Sequence, residues 1–253
     1  MLAPVVEIMS SIQGEGLLVG CRQIFIRLAG CNLRCTYCDT TDSLTPPAVC
    51  RVELTPGQRD FLEVPNLLSV ERVVELVKHF PVQRHHSVSL TGGEPLLHVD
   101  FLKLLLPQLR VLGTRLFLET NGTLADALTE VRYWFDYISM DIKLPGQTSG
   151  ELWTEHDEFL RVALDLPSGR SGEGVYVKIV ITPDTTLAEF DQAVALIANH
   201  DRNIPLILQP VTPTGHVEAA PSPKAMLDWQ ERAAQWLHQV RVIPQLHKIL
   251  RQL

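Results

Sequence analysis

Short β-branched runs alternate with longer amphipathic stretches along the chain. Residues 23–28, 87–90, 115–119, 136–141, 175–181 and 204–209 are mostly apolar and read as six core strands. Helical spacing of apolar positions covers residues 69–80, 100–112, 187–199 and 222–237, with a weaker helix over 153–164. Strands that alternate with helices imply βαβ units and a parallel sheet. The expected fold class is therefore α/β: a partial, open TIM-like barrel of about six parallel strands with outer helices. Residues 41–66 break the rhythm; rich in Pro and Thr, they read as an irregular insert, of the long kind often tied to function. With no internal repeat and no low-complexity tract, residues 1–253 read as one domain.

Ligands of parallel α/β folds gather at the C-terminal ends of the strands. Those ends carry residues 30–40, then Thr91-Gly92-Gly93-Glu94-Pro95, Glu119-Thr120-Asn121-Gly122, Asp141-Ile142-Lys143 and Gln209-Pro210. Any one of these is compatible with an ordinary turn. Five polar or glycine-rich exits around one mouth point to a site.

Composition narrows the function classes. The 253 residues are 45% hydrophobic and 20% charged, which is globular. A formal charge of −7 argues against a broad nucleic-acid-binding face. No apolar run approaches a bilayer span, and residues 1–12 lack a secretory pattern. A cytoplasmic protein is expected.

Three of the five cysteines stand together in Cys31-x3-Cys35-x2-Cys38. A [4Fe–4S] cube is usually closed by four thiolates. Three thiolates from one loop leave one iron open, able to bind a small molecule and pass it an electron. Zinc would want four ligands, usually with a second cysteine pair or histidines. Disulfides would favour an even count in a short secreted chain. Cys21 and Cys50 have no expected cluster role, and Cys50 falls in the insert. His98, His156 and His216 are scattered without paired spacing and read as surface or core histidines.

The cysteine motif with Tyr37, and the Gly92-Gly93-Glu94-Pro95 exit, resemble the radical S-adenosylmethionine superfamily. More narrowly, Ser11-Ile12-Gln13-Gly14-Glu15-Gly16, Phe25-Ile26-Arg27-Leu28, Cys38-Asp39-Thr40, Glu119-Thr120-Asn121-Gly122 and Pro244-Gln245-Leu246-His247-Lys248 resemble the 7-carboxy-7-deazaguanine synthase family. The likeness runs from about residue 5 to 250; the length of the 41–66 insert departs from it. The resemblance implies ring contraction of 6-carboxy-5,6,7,8-tetrahydropterin to 7-carboxy-7-deazaguanine with loss of ammonia, in queuosine or other deazapurine synthesis. It also implies a [4Fe–4S] cluster, S-adenosylmethionine and Mg²⁺, a reductase such as flavodoxin or ferredoxin, and a homodimer, with no nucleic-acid or membrane partner.

Residue roles follow from the same resemblance. Cys31, Cys35 and Cys38 would ligate the cluster. Tyr37, Cys38, Asp39, Gly92, Gly93, Glu94, Glu119, Asn121, Ser139, Asp141, Lys143 and Gln209 would bind S-adenosylmethionine. Gly92 and Gly93 suit a close backbone approach to its methionine end. Ile12, Gln13, Gly14, Glu15, Arg27 and Thr91 would bind substrate: Gln13 offers donor and acceptor, Glu15 accepts from a guanidine-like N–H pair, and Arg27 can grip a carboxylate with two prongs. Thr40 offers a hard hydroxyl oxygen to Mg²⁺. His247 and Lys248 either reach the mouth or solvate a terminal segment. A glycyl-radical activase shares the cysteine spacing but should lack the Gln13-to-Gly16 loop and Arg27. A cluster carrier should not need the glycine-rich exit or the ring of polar residues.

Overall fold

Alternation inside the strands decides what each side of the sheet carries. The computed structural model describes residues 1–148, 150–165, 174–214 and 217–252. Its strands and helices, in chain order, are β1 (Leu2–Ala3), β2 (Val5–Ile12), β3 (Arg22–Leu28), β4 (Val49–Glu53), β5 (Phe61–Pro65), β6 (Leu68–Ser69), α1 (Val70–Val77), β7 (Ser87–Gly92), α2 (Val99–Val111), β8 (Leu116–Thr120), α3 (Ala125–Val131), β9 (Tyr137–Ile142), α4 (Trp153–Leu164), β10 (Val175–Ile181), α5 (Leu187–His200), β11 (Leu206–Pro210), α6 (Pro223–Ala234), β12 (Val240–Val242) and α7 (Leu246–Leu250). The main sheet has the order β12-β11-β10-β9-β8-β7-β3-β2-β4-β5 and does not close into a ring. From β3 to β12 neighbouring strands are parallel; β2 runs antiparallel to β3, and β5 antiparallel to β4.

One set of alternate residues packs under the helices. Ile24, Ile26, Val88, Leu90, Leu116, Leu118, Ile138, Met140, Val177, Ile179, Leu206 and Leu208 belong to one buried core. The helices cover that face in chain order, α1 against α2 and on through α5. On α2 the buried stripe is Phe101, Leu102, Leu105, Leu106 and Leu109, the spacing of one helical face. The opposite set of strand residues faces away from the helices. Its lower part is filled by Phe117, Tyr176 and Ile207, with the Phe117 and Tyr176 rings stacked at 6.4 Å. Its upper part is left to polar side chains.

Local chemistry fixes the ends. Ser69 caps α1, Ser222 caps α6 with Pro223 at the first turn, and Thr186 with Glu189 forms a capping box on α5. The expected helix over 69–80 therefore starts one residue later, and that over 222–237 likewise. The last expected strand starts at Leu206 because Pro205 has no amide hydrogen to donate.

Two expectations need correction. Within the described residues the parallel run has seven strands, since the three-residue β12 joins its edge. The insert is not irregular throughout: β4 and β5 form a hairpin that extends the sheet beyond β2. Cys50 lies in β4, fully buried, and burial pushes its thiol up to about 12, so it is inert packing. β2 was unreadable as a core strand because Glu7, Ser10 and Ser11 interrupt its apolar pattern, yet all three are buried.

Candidate functional site

The strand exits surround one open cavity. Three groups of residues build its wall. The cysteine loop after β3 contributes Cys31, Cys35, Tyr37, Cys38, Asp39 and Thr40. The loop after β2 contributes Gln13, Gly14 and Glu15, next to Ile12 at the strand end. The sheet contributes Arg27 from β3, Thr91 and Gly92 from β7, Glu119 from β8, Ser139 and Asp141 from β9 and Gln209 from β11. Gly93, Asn121 and Lys143 follow directly after their strands. Every residue expected for cluster, cofactor, metal or substrate reaches this cavity except Glu94.

Glu94 is fully buried behind the wall. Its carboxylate accepts from the Leu96 amide at 3.0 Å, the Asn121 amide at 2.7 Å and the Thr120 hydroxyl at 3.0 Å. It braces the β8 exit instead of facing a ligand. Burial raises its carboxyl to about 7 against those hydrogen bonds.

The two glycines before it pack closely on the β3 exit. A Cβ on Gly92 would stand 2.0 Å from the Leu28 carbonyl oxygen, and one on Gly93 2.0 Å from that of Gly30. Gly92 also has φ +143°, a conformation that side chains resist. Both glycines make room for the β3 exit. Gly93 N–H donates to Leu28 at 3.1 Å and Glu94 N–H to Gly30 at 2.8 Å, stitching the glycine turn to the start of the cysteine loop.

The cysteine loop is fixed at several points. Thr36 N–H donates to the Gln147 carbonyl at 3.1 Å, and Cys38 N–H to Cys35 at 3.2 Å. The Thr40 carbonyl accepts from the Ser43 amide and hydroxyl, at 2.9 Å and 2.7 Å. Cys31 Sγ accepts from Leu33 N–H at 3.4 Å and from the Asn121 amide at 3.9 Å. Among the described residues no three His, Cys, Asp or Glu side chains stand close enough to hold a single ion. The three thiols line one wall, a soft donor set for iron. Around them Asp141 Oδ1 and Gln209 Oε1 are buried without a hydrogen-bond partner among the described residues. A molecule bound in the cavity would supply the partner these two atoms need. The residues present fit a thiolate-held cluster with a polar small molecule beside it.

Alternating charges run across the floor. Lys178 of β10 bonds Glu15, and stands 3.2 Å from Asp141. Lys143 bonds the same Asp141 oxygen at 2.7 Å and lies 5.1 Å over the Tyr37 ring. Burial alone would raise Glu15; Lys178 and the amide of Gln245 at 2.8 Å outweigh it and hold the carboxyl at about 2. Lys178 and Lys143 are raised despite burial, chiefly by Asp141. On the other wall the Gln13 amide donates to Glu119 at 2.7 Å and to Gln23 at 2.9 Å, while its oxygen accepts from Glu15 N–H at 3.0 Å. Thr91 donates to Glu119 at 2.6 Å. Burial, then the nearby Glu15, raises Glu119.

The C-terminal segment closes this wall. Gln245 bridges Glu15 and Asp39, Lys248 pairs with Asp39 at 3.2 Å, and Leu246 N–H donates to Gly14 at 2.9 Å. His247 lines the cavity where a Cβ on Gly14 would collide with its ring at 2.0 Å. The residues that sequence reasoning missed are thus Lys178 and Gln245; His247, left open between the mouth and a solvated tail, lines the cavity. Lys178 carried a signal, being the only charged residue in an otherwise apolar strand. His156 and His98 are structural: fully buried His156 joins the Gly122 carbonyl at 2.9 Å to the Lys143 amide at 3.0 Å, and His98 meets the Ala29 carbonyl at 2.7 Å. His216 lies outside the described residues.

An open parallel α/β sheet with a three-cysteine loop at one exit and a glycine turn at the next defines a radical S-adenosylmethionine protein. Residues 25–197 match the Radical SAM superfamily. A 7-carboxy-7-deazaguanine synthase of Geobacter sulfurreducens is 46% identical over 98% of this chain and 96% of its own. One from Methanothermobacter thermautotrophicus is 36% identical over 99% of this chain and 98% of its own. In fold, the crystal structure of QueE from Escherichia coli aligns with a TM-score of 0.60 at 20% identity, covering 98% of this chain and 95% of that one. The chain belongs to the 7-carboxy-7-deazaguanine synthase family. Among its described residues no helix is long and apolar enough to cross a membrane.

Proposed function

We propose that the chain is a carbon–nitrogen lyase that converts 6-carboxy-5,6,7,8-tetrahydropterin to 7-carboxy-7-deazaguanine and ammonia, as its relatives' name indicates for the product. The observation that carries this reading is that the cysteine loop, Arg27 and the loop holding Gln13 and Glu15 face one cavity. Cys31, Cys35 and Cys38 would hold a [4Fe–4S] cluster with one iron left for S-adenosylmethionine. Bound there, the pair would supply one-electron radical chemistry.

The chain's own residues bind and orient. Asp141 and Gln209 have buried oxygens free to accept from the cofactor's hydroxyl or amino groups. Glu15, ionised at neutral pH, accepts from the substrate's N–H pair. Gln13, pinned by Gln23 and Glu119, fixes the loop that presents Glu15. Arg27 donates its Nε to Glu7 at 2.8 Å, which leaves its terminal nitrogens for the substrate carboxylate. Thr40 would give its hydroxyl to Mg²⁺ beside that carboxylate. An external one-electron donor such as flavodoxin or ferredoxin, and a homodimeric state, belong to the same reading.

The test is direct. Reconstituted, reduced protein is incubated with S-adenosylmethionine and the carboxy-tetrahydropterin, and the deazapurine is sought by mass. Cofactor cleavage by an intact cluster without that product would reject the substrate assignment.

A further inference from the structure

The insert hairpin places one cation behind the substrate wall. Glu7 of β2 stands in register with Arg27 of β3 on one side and with Arg51 of β4 on the other. Glu7 Oε1 accepts from Arg27 Nε at 2.8 Å, and Oε2 accepts from Arg51 at 2.9 Å. The Glu7 side chain is 9% exposed and that of Arg27 17%, whereas that of Arg51 is 47% exposed. Arg27 lines the cavity; Glu7 and Arg51 are not among its lining residues. Arg51 is held from its far side by the Phe61 ring of β5, 5.1 Å away.

This row has a consequence for charge. A carboxylate and a guanidinium left alone form a two-pronged pair that cancels both charges and fills the planar fork. Here the second carboxylate oxygen is taken by Arg51, so Arg27 is held by one prong only. Two cations share Glu7, and beyond Arg51 the exposed Glu63 of β5 stands in register with it.

We propose that Arg51 is a positioning residue for Arg27: by occupying half of Glu7 it holds Arg27 to a single prong and leaves its terminal nitrogens available to an anionic substrate. The hairpin's role is then to deliver that second arginine. The proposal rests on the reading of Arg27 as the group that grips the substrate carboxylate.

The experiment measures binding by calorimetry to reconstituted holoenzyme with S-adenosylmethionine present. Its probes are 6-carboxypterin, an unreactive acid, and pterin, which lacks the carboxylate. Arg51→Met should weaken 6-carboxypterin roughly five-fold, in the range of a half-exposed ion pair. It should leave pterin and S-adenosylmethionine within about two-fold, and the effect should shrink with salt. Arg51→Lys should restore most of the loss. In a Glu7→Gln background, Arg51→Met should add nothing, because there is no carboxylate left to divide. Equal weakening of both pterins, no weakening of either, or an undiminished effect in the Glu7→Gln background would overturn the proposal. The ratio of the two pterin affinities is taken on one preparation, so partial misfolding does not imitate the result. Arg27→Ala separates the two readings. If it spares 6-carboxypterin, the role given to Arg27 falls; if it does not, and Arg51→Met does, only the present inference falls.

Discussion

Gly93→Ala tests whether the glycine turn serves the fold or the cofactor. The added methyl carbon would lie 2.0 Å from the Gly30 carbonyl oxygen, 2.6 Å from its carbon and 3.0 Å from Cys31 Cβ. Ordinary contact needs more than about 1 Å of movement, and the obstacle is backbone, which cannot rotate aside as a side chain does. The same displacement opens the hydrogen bonds from Gly93 to Leu28 and from Glu94 to Gly30, at 3.1 Å and 2.8 Å. Overpacking costs about 1–3 kcal/mol, and two weakened hydrogen bonds cost about 1 kcal/mol each. Reduced freedom of the unfolded alanine returns about 0.4–1 kcal/mol. The net loss is about 2–5 kcal/mol. At about 2–4 °C per kcal/mol for a domain of this size, Tm should fall by roughly 4–20 °C. The assay is thermal unfolding of protein prepared without iron and without S-adenosylmethionine, so that no ligand contact can contribute. Iron incorporated per chain on reconstitution should also fall, because Cys31 follows the displaced Gly30. An apoprotein Tm unchanged within about 1 °C, with S-adenosylmethionine affinity alone lost, would refute the reasoning and return the glycine to the cofactor.

Arg27→Ala should weaken substrate binding about 100-fold, the scale of a lost charge-assisted bond, while S-adenosylmethionine affinity stays within about two-fold; equal loss of both would make the arginine structural. Thr40→Ala should lower the response of turnover to added Mg²⁺, and an unchanged titration would remove the hydroxyl from the metal shell. Lys178→Met strips Glu15 and Asp141 of a shared cation and should cost about 2–4 kcal/mol, read by denaturant unfolding. It also releases Glu15 from the pKa of about 2 that Lys178 and Gln245 maintain, so substrate binding should acquire a loss at acid pH that wild type lacks. Glu94 binds its proton more tightly folded, at about 7, than its ordinary 4.5, so its contribution is present below about 4.5 and is lost as pH rises through about 7. That amounts to roughly 3 kcal/mol between pH 4.5 and 8. The difference in Tm between wild type and Glu94→Gln should therefore change across that window, and a constant difference would sink the assignment.

The sequence was most legible where one periodicity governs. The six core strands stand within two residues of expectation because their helix-facing residues are apolar without exception, from Ile24 and Ile26 to Leu206 and Leu208. Cavity-facing polar groups sit on the alternate positions: Arg27, Thr91, Glu119, Ser139, Asp141 and Gln209. The same rule applied to β10 points to Lys178, two residues after Tyr176 and on the same face. What stayed hidden depends on contacts distant in the chain. Nothing near Gln245 says that its amide will bridge Glu15 and Asp39 across more than 200 residues. Nothing near Glu94 distinguishes a carboxylate that faces a ligand from one that closes on the Leu96 and Asn121 amides. The motif marks the position, and only packing decides which side of the wall the side chain takes. The β4–β5 hairpin escaped because its partner β2 has a buried glutamate where alternation asks for an apolar residue.

Charge accounting explains why the two halves of the cavity are built differently. On the floor, Glu15 and Asp141 are matched by Lys178 and Lys143, two anions against two cations. A sulfonium cofactor is itself a cation, and an unmatched lysine there would repel it in a medium that screens poorly. Neutrality is also why these buried charges can persist: each carboxylate has an ammonium within hydrogen-bond reach, and removing one partner would leave the other stranded. Toward the substrate wall Arg27 and Arg51 share Glu7. On the proposed reading an acid substrate would meet the Arg27 terminal nitrogens there, and the cofactor would meet the paired charges of the floor, so that the two ligands of opposite charge are received by residues on neighbouring strands.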